Sequence, residues 1–168
     1  ILSNALCCVN SAIDAGDIVF MKDHINLLPD NPLRGANDER LGPRFPDMLH
    51  AYDQQLNARA LEIAQQLGIR AHEGVYLALQ GPNLETPAEY QFANRMGADL
   101  VGMSTVPEVI VAKHMELPVF AVSVATNKCF PIEEIRTTSV SDVIEAAKGA
   151  EANLARILKK LLTEIDLD

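Results

Sequence analysis

The stretch GADLVGMSTVPEVIVAKHMELPVFAVSVATN, residues 97–127, places a helical pattern between two apolar runs that are typical of β-strands. The two runs are ADLVGMS and LPVFAVSVATN, and the helix is predicted over 106–116. Further strands are predicted in ILSNA, DIVFMKDHINL and GVYLALQG, and further helices over 47–67, 86–97 and 141–162. This alternation favours an α/β fold with a mixed, largely parallel sheet flanked by helices.

The composition fits one globular domain over residues 1–168, because 48% of the side chains are hydrophobic. The chain has no apolar run near the ~20 residues of a membrane helix and no basic start of a signal peptide, so we expect a cytoplasmic protein. A net charge of -9 disfavours nucleic acid and anionic membranes as partners. The apolar start without Met predicts the C-terminal part of a larger domain.

Cysteine and histidine positions predict no metal site. Cys7 and Cys8 are adjacent and Cys129 is distant, which fits neither a disulfide framework nor a metal-ligand spacing, so buried reduced thiols are expected. The four histidines lack partners at ligand spacing and are expected to be structural. The sequence contains no dinucleotide-binding or phosphate-loop motif.

Two predicted helices begin with capping boxes that leave a neighbouring polar residue unused. Thr86 to Glu89 satisfy the helix start without Glu85, and Thr105 to Glu108 do the same without Ser104. Asn127 ends a third strand, in VSVATNKCF.

A fourth strand is expected to end at Asn4, in SNALCC. Ligands of an open parallel sheet bind outside the carboxyl ends of its strands, so Glu85, Ser104 and Asn127 are the first candidates for one pocket. The alternative is that Asn and Ser only stabilise turns and that Glu85 is solvated.

Four segments resemble the trimeric purine nucleoside phosphorylases: GPNLETPAEY, the stretch quoted first, DHINL and NPLRGANDERLGPRFPDM. The resemblance covers nearly the whole chain. It implies a partial nucleoside phosphorylase-like fold, a homotrimer, and reversible phosphorolysis of 6-oxopurine nucleosides in purine salvage. It also implies inorganic phosphate as co-substrate, with no metal or organic cofactor.

By the same resemblance, Glu85 would hold the N1–H side of the purine and Asn127 would donate to N7 as the base leaves with negative charge. The other implied contacts are Leu84, Val101 and Gly102 with the base, Met103 with the ribose, and Ser104 and the backbone N–H of Ala5 with phosphate.

The chain departs from the family pattern in several places. Leu6-Cys7-Cys8 replaces a glycine-containing segment and is expected to strain or block the phosphate loop. Leu41 stands where an aromatic residue is usual, and Ser139 and Ser141 lie where many members have a ribose-contacting His. The Arg and His phosphate ligands implied by the resemblance lie outside these 168 residues. Two alternatives therefore stay open: a methylthioadenosine phosphorylase, and a catalytically silent truncated subunit.

Overall fold

The computed structural model describes residues 1–165, which form five strands, four α-helices and one short 3₁₀ helix. The strands are β1 (Leu2–Cys8), β2 (Ile18–Asn26), β3 (Ala71–Ala78), β4 (Leu100–Gly102) and β5 (Ala121–Lys128). The helices are α1 (Gln54–Gln66), α2 (Pro87–Arg95), α3 (Val106–His114) and α4 (Val140–Glu164), and Ile132–Glu134 is the 3₁₀ helix. The predicted α/β class with a mixed sheet is confirmed.

The sheet closes on itself, in the order β1-β4-β3-β2-β5 with β5 pairing back to β1. Three pairings are parallel (β1 with β5, β2 with β3, β3 with β4), and β1 with β4 and β2 with β5 are antiparallel. The expectation of an open parallel sheet is therefore wrong. Because β1 and β5 run opposite to β3 and β4, the candidate residues do not all lie at one row of carboxyl ends.

Local capping decides where the helices begin and end. The Asp53 carboxylate accepts hydrogen bonds from the backbone N–H groups of Gln55 and Leu56, so α1 begins at Gln54 and not at residue 47. The capping box predicted at Thr86 and Glu89 is present. Gly68, with φ of 65°, follows α1 and fits the glycine that commonly ends a helix.

Helices α1 and α4 cover one side of the sheet. Ile63 of α1 and Ile157 and Leu161 of α4 are fully buried in a cluster that includes Phe20 and Phe120, whose ring centroids are 5.4 Å apart. Ile144, near the start of α4, is 48% exposed and does not join this cluster. Within the described residues, no helix has both the length and the hydropathy that crossing a bilayer requires.

The long segment between β2 and α1 is anchored to the end of α3. His114 is buried, and its Nε2 lies 3.0 Å from Oδ1 of Asn37, whose Nδ2 donates to the carbonyl of Gly42. A Cβ at Gly42 would overlap the carbonyl of His114, so the segment packs directly on this turn. His114 therefore has the structural role expected of it.

Candidate active site

Asn127 is aimed by a β-bulge near the end of β5. The register with β1 passes from Leu6 opposite Ala125 to Cys7 opposite Asn127, so Thr126 is an extra residue on β5. The Thr126 hydroxyl donates to the carbonyl of Leu6 at 3.0 Å and lies 2.8 Å from Oδ1 of Asn127. Bulges of this kind redirect a side chain, and here Asn127 is turned towards the Cys7 thiol.

The side chains around Asn127 form a sulfur-rich group, named here the Asn127 corner: Cys7, Tyr90, Asn127 and Cys129. Nδ2 of Asn127 donates to Sγ of Cys7 at 3.0 Å and to Sγ of Cys129 at 3.1 Å. The Tyr90 hydroxyl lies 3.6 Å from Sγ of Cys7. All three cysteines of the chain are buried free thiols, as predicted.

The hydrogen bonds of this corner shift the acidity of its thiols. The pKa of Cys7 is lowered to about 7, chiefly by a hydrogen bond from Cys129 and against the effect of burial, with Tyr90 and Asn127 adding to the lowering. The hydrogen bond to Cys7 raises the pKa of Cys129, and burial raises that of Tyr90. Cys129 and Tyr90 therefore stay protonated and act as donors to Cys7.

Glu85 lies near Cys7. It is half-buried in the loop that leads from β3 to α2, and its negative charge is close enough to oppose the lowering of the Cys7 pKa. Glu85 and Asn127, which are 42 positions apart in sequence, therefore both lie close to the same thiol.

A second group, named here the Ser104 corner, consists of Asn4, Tyr76, Ser104 and Thr105. The buried Tyr76 hydroxyl accepts from the backbone N–H of Ser104 and donates to its carbonyl, both at 3.1 Å. Thr105 has φ of 67° and ψ of -52°, and the N–H of Val106 donates to the Ser104 carbonyl at 2.7 Å. This is a γ-turn of the rare, strained form, and it leaves the Ser104 side chain exposed.

Two expectations from the sequence are wrong at the Ser104 corner. Thr105 makes no side-chain cap to α3 and forms no capping box with Glu108, because its hydroxyl instead accepts from Nδ2 of Asn4 at 2.6 Å. Asn4 is not at the end of a strand, because β1 continues to Cys8. The exposed Ala5 follows Asn4 directly.

The loop after β3 packs against the residues that follow β4. The N–H of Leu79 donates to the carbonyl of Gly102 at 2.9 Å, and a Cβ at Gly81 would overlap the Met103 side chain. Leu84 and Met103 are exposed by 48% and 38%.

Two further candidates lie beneath that surface. Val101 is buried opposite Cys7, and Gly102 packs on the hydroxyl of Tyr76. Val101 is thus paired with a residue of the Asn127 corner, and Gly102 is in contact with a residue of the Ser104 corner.

The cysteines in place of glycines do not strain the backbone, contrary to expectation. In the described part of the chain, Thr105 and Glu116 are the non-glycine residues with positive φ, and Cys7 and Cys8 simply extend β1. Their side chains point into packed surroundings, since Sγ of Cys8 lies 3.4 Å from the carbonyl of Ile13 and 3.1 Å from that of Asn127, either of which can accept its single proton.

The residues that organise both corners were not identified from the sequence. Tyr76 offered one signal, because a tyrosine in a buried strand needs a partner for its hydroxyl. Thr105 and Tyr90 offered none, since a positive φ at threonine and a contact with Cys7 both depend on distant parts of the chain.

Open space borders the Asn127 corner. A cavity of about 490 Å³ is lined by Asn127, Lys128, Glu133, Glu134, Arg136 and Thr138. Nζ of Lys128 lies 3.2 Å from Asp14 and 3.4 Å from Glu134, so its charge is partly neutralised. Among residues 1–165, no three His, Cys, Asp or Glu side chains are grouped so as to hold a metal ion.

The family model described as the phosphorylase superfamily matches residues 1–163. The chain is 43% identical over 162 residues to purine nucleoside phosphorylase 1 of Geobacillus stearothermophilus, covering 96% of this chain and 59% of that protein. It is also 43% identical over 173 residues to the purine nucleoside phosphorylase of Mus musculus, covering 99% of this chain and 60% of that protein. The chain thus spans about 60% of the length of these relatives.

Solved structures agree with the sequence relatives. A Schistosoma purine nucleoside phosphorylase in complex with guanosine has a TM-score of 0.93 at 37% identity, covering 99% of this chain and 62% of that one. Isoform 2 of the Schistosoma mansoni enzyme, solved with cytosine and ribose-1-phosphate, has a TM-score of 0.94 at 38% identity, covering 99% and 60%. The resemblance read from the sequence is confirmed, and the chain belongs to the phosphorylase superfamily.

Proposed function

We propose that the protein catalyses the reversible phosphorolysis of 6-oxopurine (deoxy)ribonucleosides, such as inosine and guanosine, to the free base and (deoxy)ribose 1-phosphate. The relatives named above are purine nucleoside phosphorylases, and similar Schistosoma structures were solved with guanosine and with inosine. Because the chain spans only about 60% of the length of those proteins, their activity and substrates are proposals for this chain.

One observation carries the proposal, namely that both corners are attached to the same strand. The Ser104 corner is bonded to β1 at Asn4, and the Asn127 corner is bonded to β1 at Cys7. Asn4 and Cys7 are three positions apart, about 10 Å along the strand, and side chains at this odd spacing leave opposite faces of it. We infer that the nucleoside spans from one corner to the other past the exposed Ala5, which lies between these two points, with its base at Asn127 and its C1′ facing a phosphate at Ser104.

The reaction we propose forms one bond and breaks one. A phosphate oxygen attacks C1′ while the C1′–N9 bond breaks, and the purine leaves with the electron pair. Asn127 would donate to N7 as that charge develops, and Glu85 would accept the N1–H of the 6-oxopurine. Leu84, Val101 and Gly102 would enclose the base.

At the other end of the nucleoside, Met103 would contact the ribose. Ser104 and the N–H of Ala5 would donate hydrogen bonds to phosphate. These two groups do not neutralise a phosphate dianion, so further cationic groups would be needed to bind it. No metal or organic cofactor takes part in this scheme.

The test is the release of free base from nucleosides in the presence and absence of phosphate. We expect hypoxanthine from inosine only with phosphate, and little adenine from methylthioadenosine, because a 6-amino base would be better served by an acidic residue at position 127. Asn127→Asp should shift the preference towards the 6-amino substrate. Faster cleavage of methylthioadenosine than of inosine would replace this proposal with the methylthioadenosine phosphorylase.

A homotrimeric assembly, a cytoplasmic location and a role in purine salvage are further parts of this proposal, and they rest on the family resemblance. Light scattering of the purified protein would test the assembly. A mass of one subunit would remove the trimer from the proposal without affecting the chemistry. Absence of phosphorolysis together with a stable, cooperatively unfolding protein would favour the catalytically silent subunit.

A further inference from the structure

Two oxygen acceptors near Asn127, its own Oδ1 and the Leu6 carbonyl, face a single hydroxyl donor, that of Thr126. The Thr126 hydroxyl faces both the Leu6 carbonyl at 3.0 Å and Oδ1 of Asn127 at 2.8 Å, but a hydroxyl has one proton to donate. Sγ of Cys7 lies 3.3 Å from Oδ1 and 3.0 Å from Nδ2, so the thiol can meet either end of the amide. The best arrangement therefore depends on whether Cys7 carries its proton.

A neutral Cys7 favours one orientation of the amide. If Oδ1 faces the sulfurs, it accepts from the S–H groups of Cys7 and Cys129, and Nδ2 donates one proton to Thr126. Thr126 then gives its own proton to the Leu6 carbonyl, so every buried partner is satisfied. The second N–H of Asn127 remains free to bind a ligand.

An ionised Cys7 reverses the amide. A thiolate has no proton for Oδ1 and accepts strongly from N–H, so Nδ2 must face the sulfurs, as it does at 3.0 Å and 3.1 Å from Cys7 and Cys129. Both N–H groups are then engaged with sulfur. No amide donor is left for a ligand, and a negative charge lies at the base of the site.

We propose that Cys7 is a positioning residue for Asn127. When the Cys7 thiol is neutral, one amide N–H of Asn127 is free to bind the purine; when Cys7 is a thiolate, both N–H groups are bonded to sulfur. The inference rests on the proposed function, and it adds that only the form with protonated Cys7 binds and expels a purine efficiently. A thiolate would also repel the purine anion that forms as the glycosidic bond breaks.

The ionisable groups around Cys7 place this change near neutral pH. Cys129 and Tyr90 donate to the sulfur and lower the pKa of Cys7 to about 7, against burial and the negative charge of Glu85. The adjacent Cys8 does not share this behaviour, because burial raises its pKa to about 11. Cys8 is therefore the matched control for any thiol titration in this site.

A test that does not need activity follows the side-chain amide of Asn127 by NMR. In the ¹⁵N-labelled full chain, its NH₂ signals are assigned by their loss in Asn127→Asp and followed from pH 6 to pH 9. We expect them to shift with a midpoint near the pKa of Cys7, to stop shifting in Cys7→Ser, and to shift unchanged in Cys8→Ala. Signals that do not titrate, or that titrate equally in Cys7→Ser, would overturn the inference.

Kinetics supply the second arm and separate the two proposals. We expect kcat/KM for inosine to fall about tenfold per pH unit above the pKa of Cys7, and this fall to be absent in Cys7→Ser and Cys7→Ala. The same fall in both variants would refute the role of Cys7 while leaving the phosphorylase proposal intact. Normal NMR titration without phosphorolysis at any pH would refute the phosphorylase and support the coupling of Cys7 to Asn127.

Discussion

The two corners of the candidate site are attached to the same strand but are held together by different kinds of contact. At the Ser104 corner, the backbone carries the geometry, through the γ-turn at Thr105 and the hydroxyl of Tyr76 bonded to both the N–H and the carbonyl of Ser104. At the Asn127 corner, the geometry depends on one side chain meeting two thiols. The first corner is therefore held by backbone conformation, and the second by hydrogen bonds between side chains, two of which are thiols.

This difference predicts how each corner responds to change. A site built from backbone groups tolerates pH but not added atoms, because its close approaches leave no room. A site built from side chains that share protons tolerates small changes of volume but not the loss of a donor or acceptor. Added volume should therefore lower stability at the Ser104 corner, and loss of a hydrogen-bonding group should change activity and pH dependence at the Asn127 corner.

The largest effect is expected at the Asn127 corner, from Asn127→Ala. Removing a donor that stabilises a developing anion lowers kcat by about 10²–10³-fold. The measurement is initial-rate phosphorolysis of inosine at pH 6.5. Asn153→Ala, the same truncation on α4, should keep the wild-type rate. A loss below threefold for Asn127→Ala would mean that the purine is held elsewhere.

The next effect is expected from an added methyl group at the Ser104 corner. A Cβ at Gly102 would overlap the hydroxyl of Tyr76, so Gly102→Ala should lower the free energy of unfolding by about 1–3 kcal/mol. Gly149 of α4 has open space around its Cβ position, so Gly149→Ala should raise stability by about 0.5–1 kcal/mol. Urea denaturation measures both, and equal changes for the two variants would argue against the tight packing at Tyr76.

A smaller and more selective effect is expected from Tyr76→Phe. The variant keeps the ring but removes the hydroxyl that bridges Ser104, leaving two backbone groups without that partner. We expect KM for phosphate to rise about tenfold, equivalent to about 1.4 kcal/mol, with little change in KM for inosine. Tyr52→Phe, which loses a hydroxyl bonded to His24, is the control. A rise confined to KM for inosine would assign Ser104 to the nucleoside and not to phosphate.

The sequence predicted features that depend on neighbouring residues. The capping box at Thr86 and Glu89, the turn at Gly68 and the order of strands and helices all follow from local patterns, and all are present. Glu85 was identified because local capping does not use it, and Asn127 because it is a polar residue at the end of an apolar strand. A short window of sequence contains the whole physical cause in each case.

Features that depend on distant pairing were not predicted. The antiparallel contact of β1 with β4 closes the sheet and brings Asn4 to Thr105 across 101 positions. The hydrogen bond from Asn4 to Thr105 takes the place of the expected cap, and it can form only once both strands are in place. The lowered pKa of Cys7 was not predicted for the same reason, since it comes from hydrogen bonds with Cys129 and Tyr90, which lie far away in sequence.

The smallest effect expected is a dependence of stability on pH that belongs to the Asn127 corner alone. The folded protein lowers the pKa of Cys7 from 9.0 to about 7, so above pH 7 the native state releases a proton that the unfolded chain still holds. The stabilisation is present above the unfolded pKa and is lost as pH falls through the folded one. Between pH 6.5 and 8, the free energy of unfolding should therefore rise by about 1 kcal/mol more in the wild type than in Cys7→Ala.

Urea denaturation of both proteins at both pH values measures this difference. The contributions of the histidines are common to the two proteins and cancel. Tyr76→Phe should keep the full dependence, because the Ser104 corner is fixed by backbone contacts, and equal slopes in wild type and Cys7→Ala would show that the thiol does not ionise in this range.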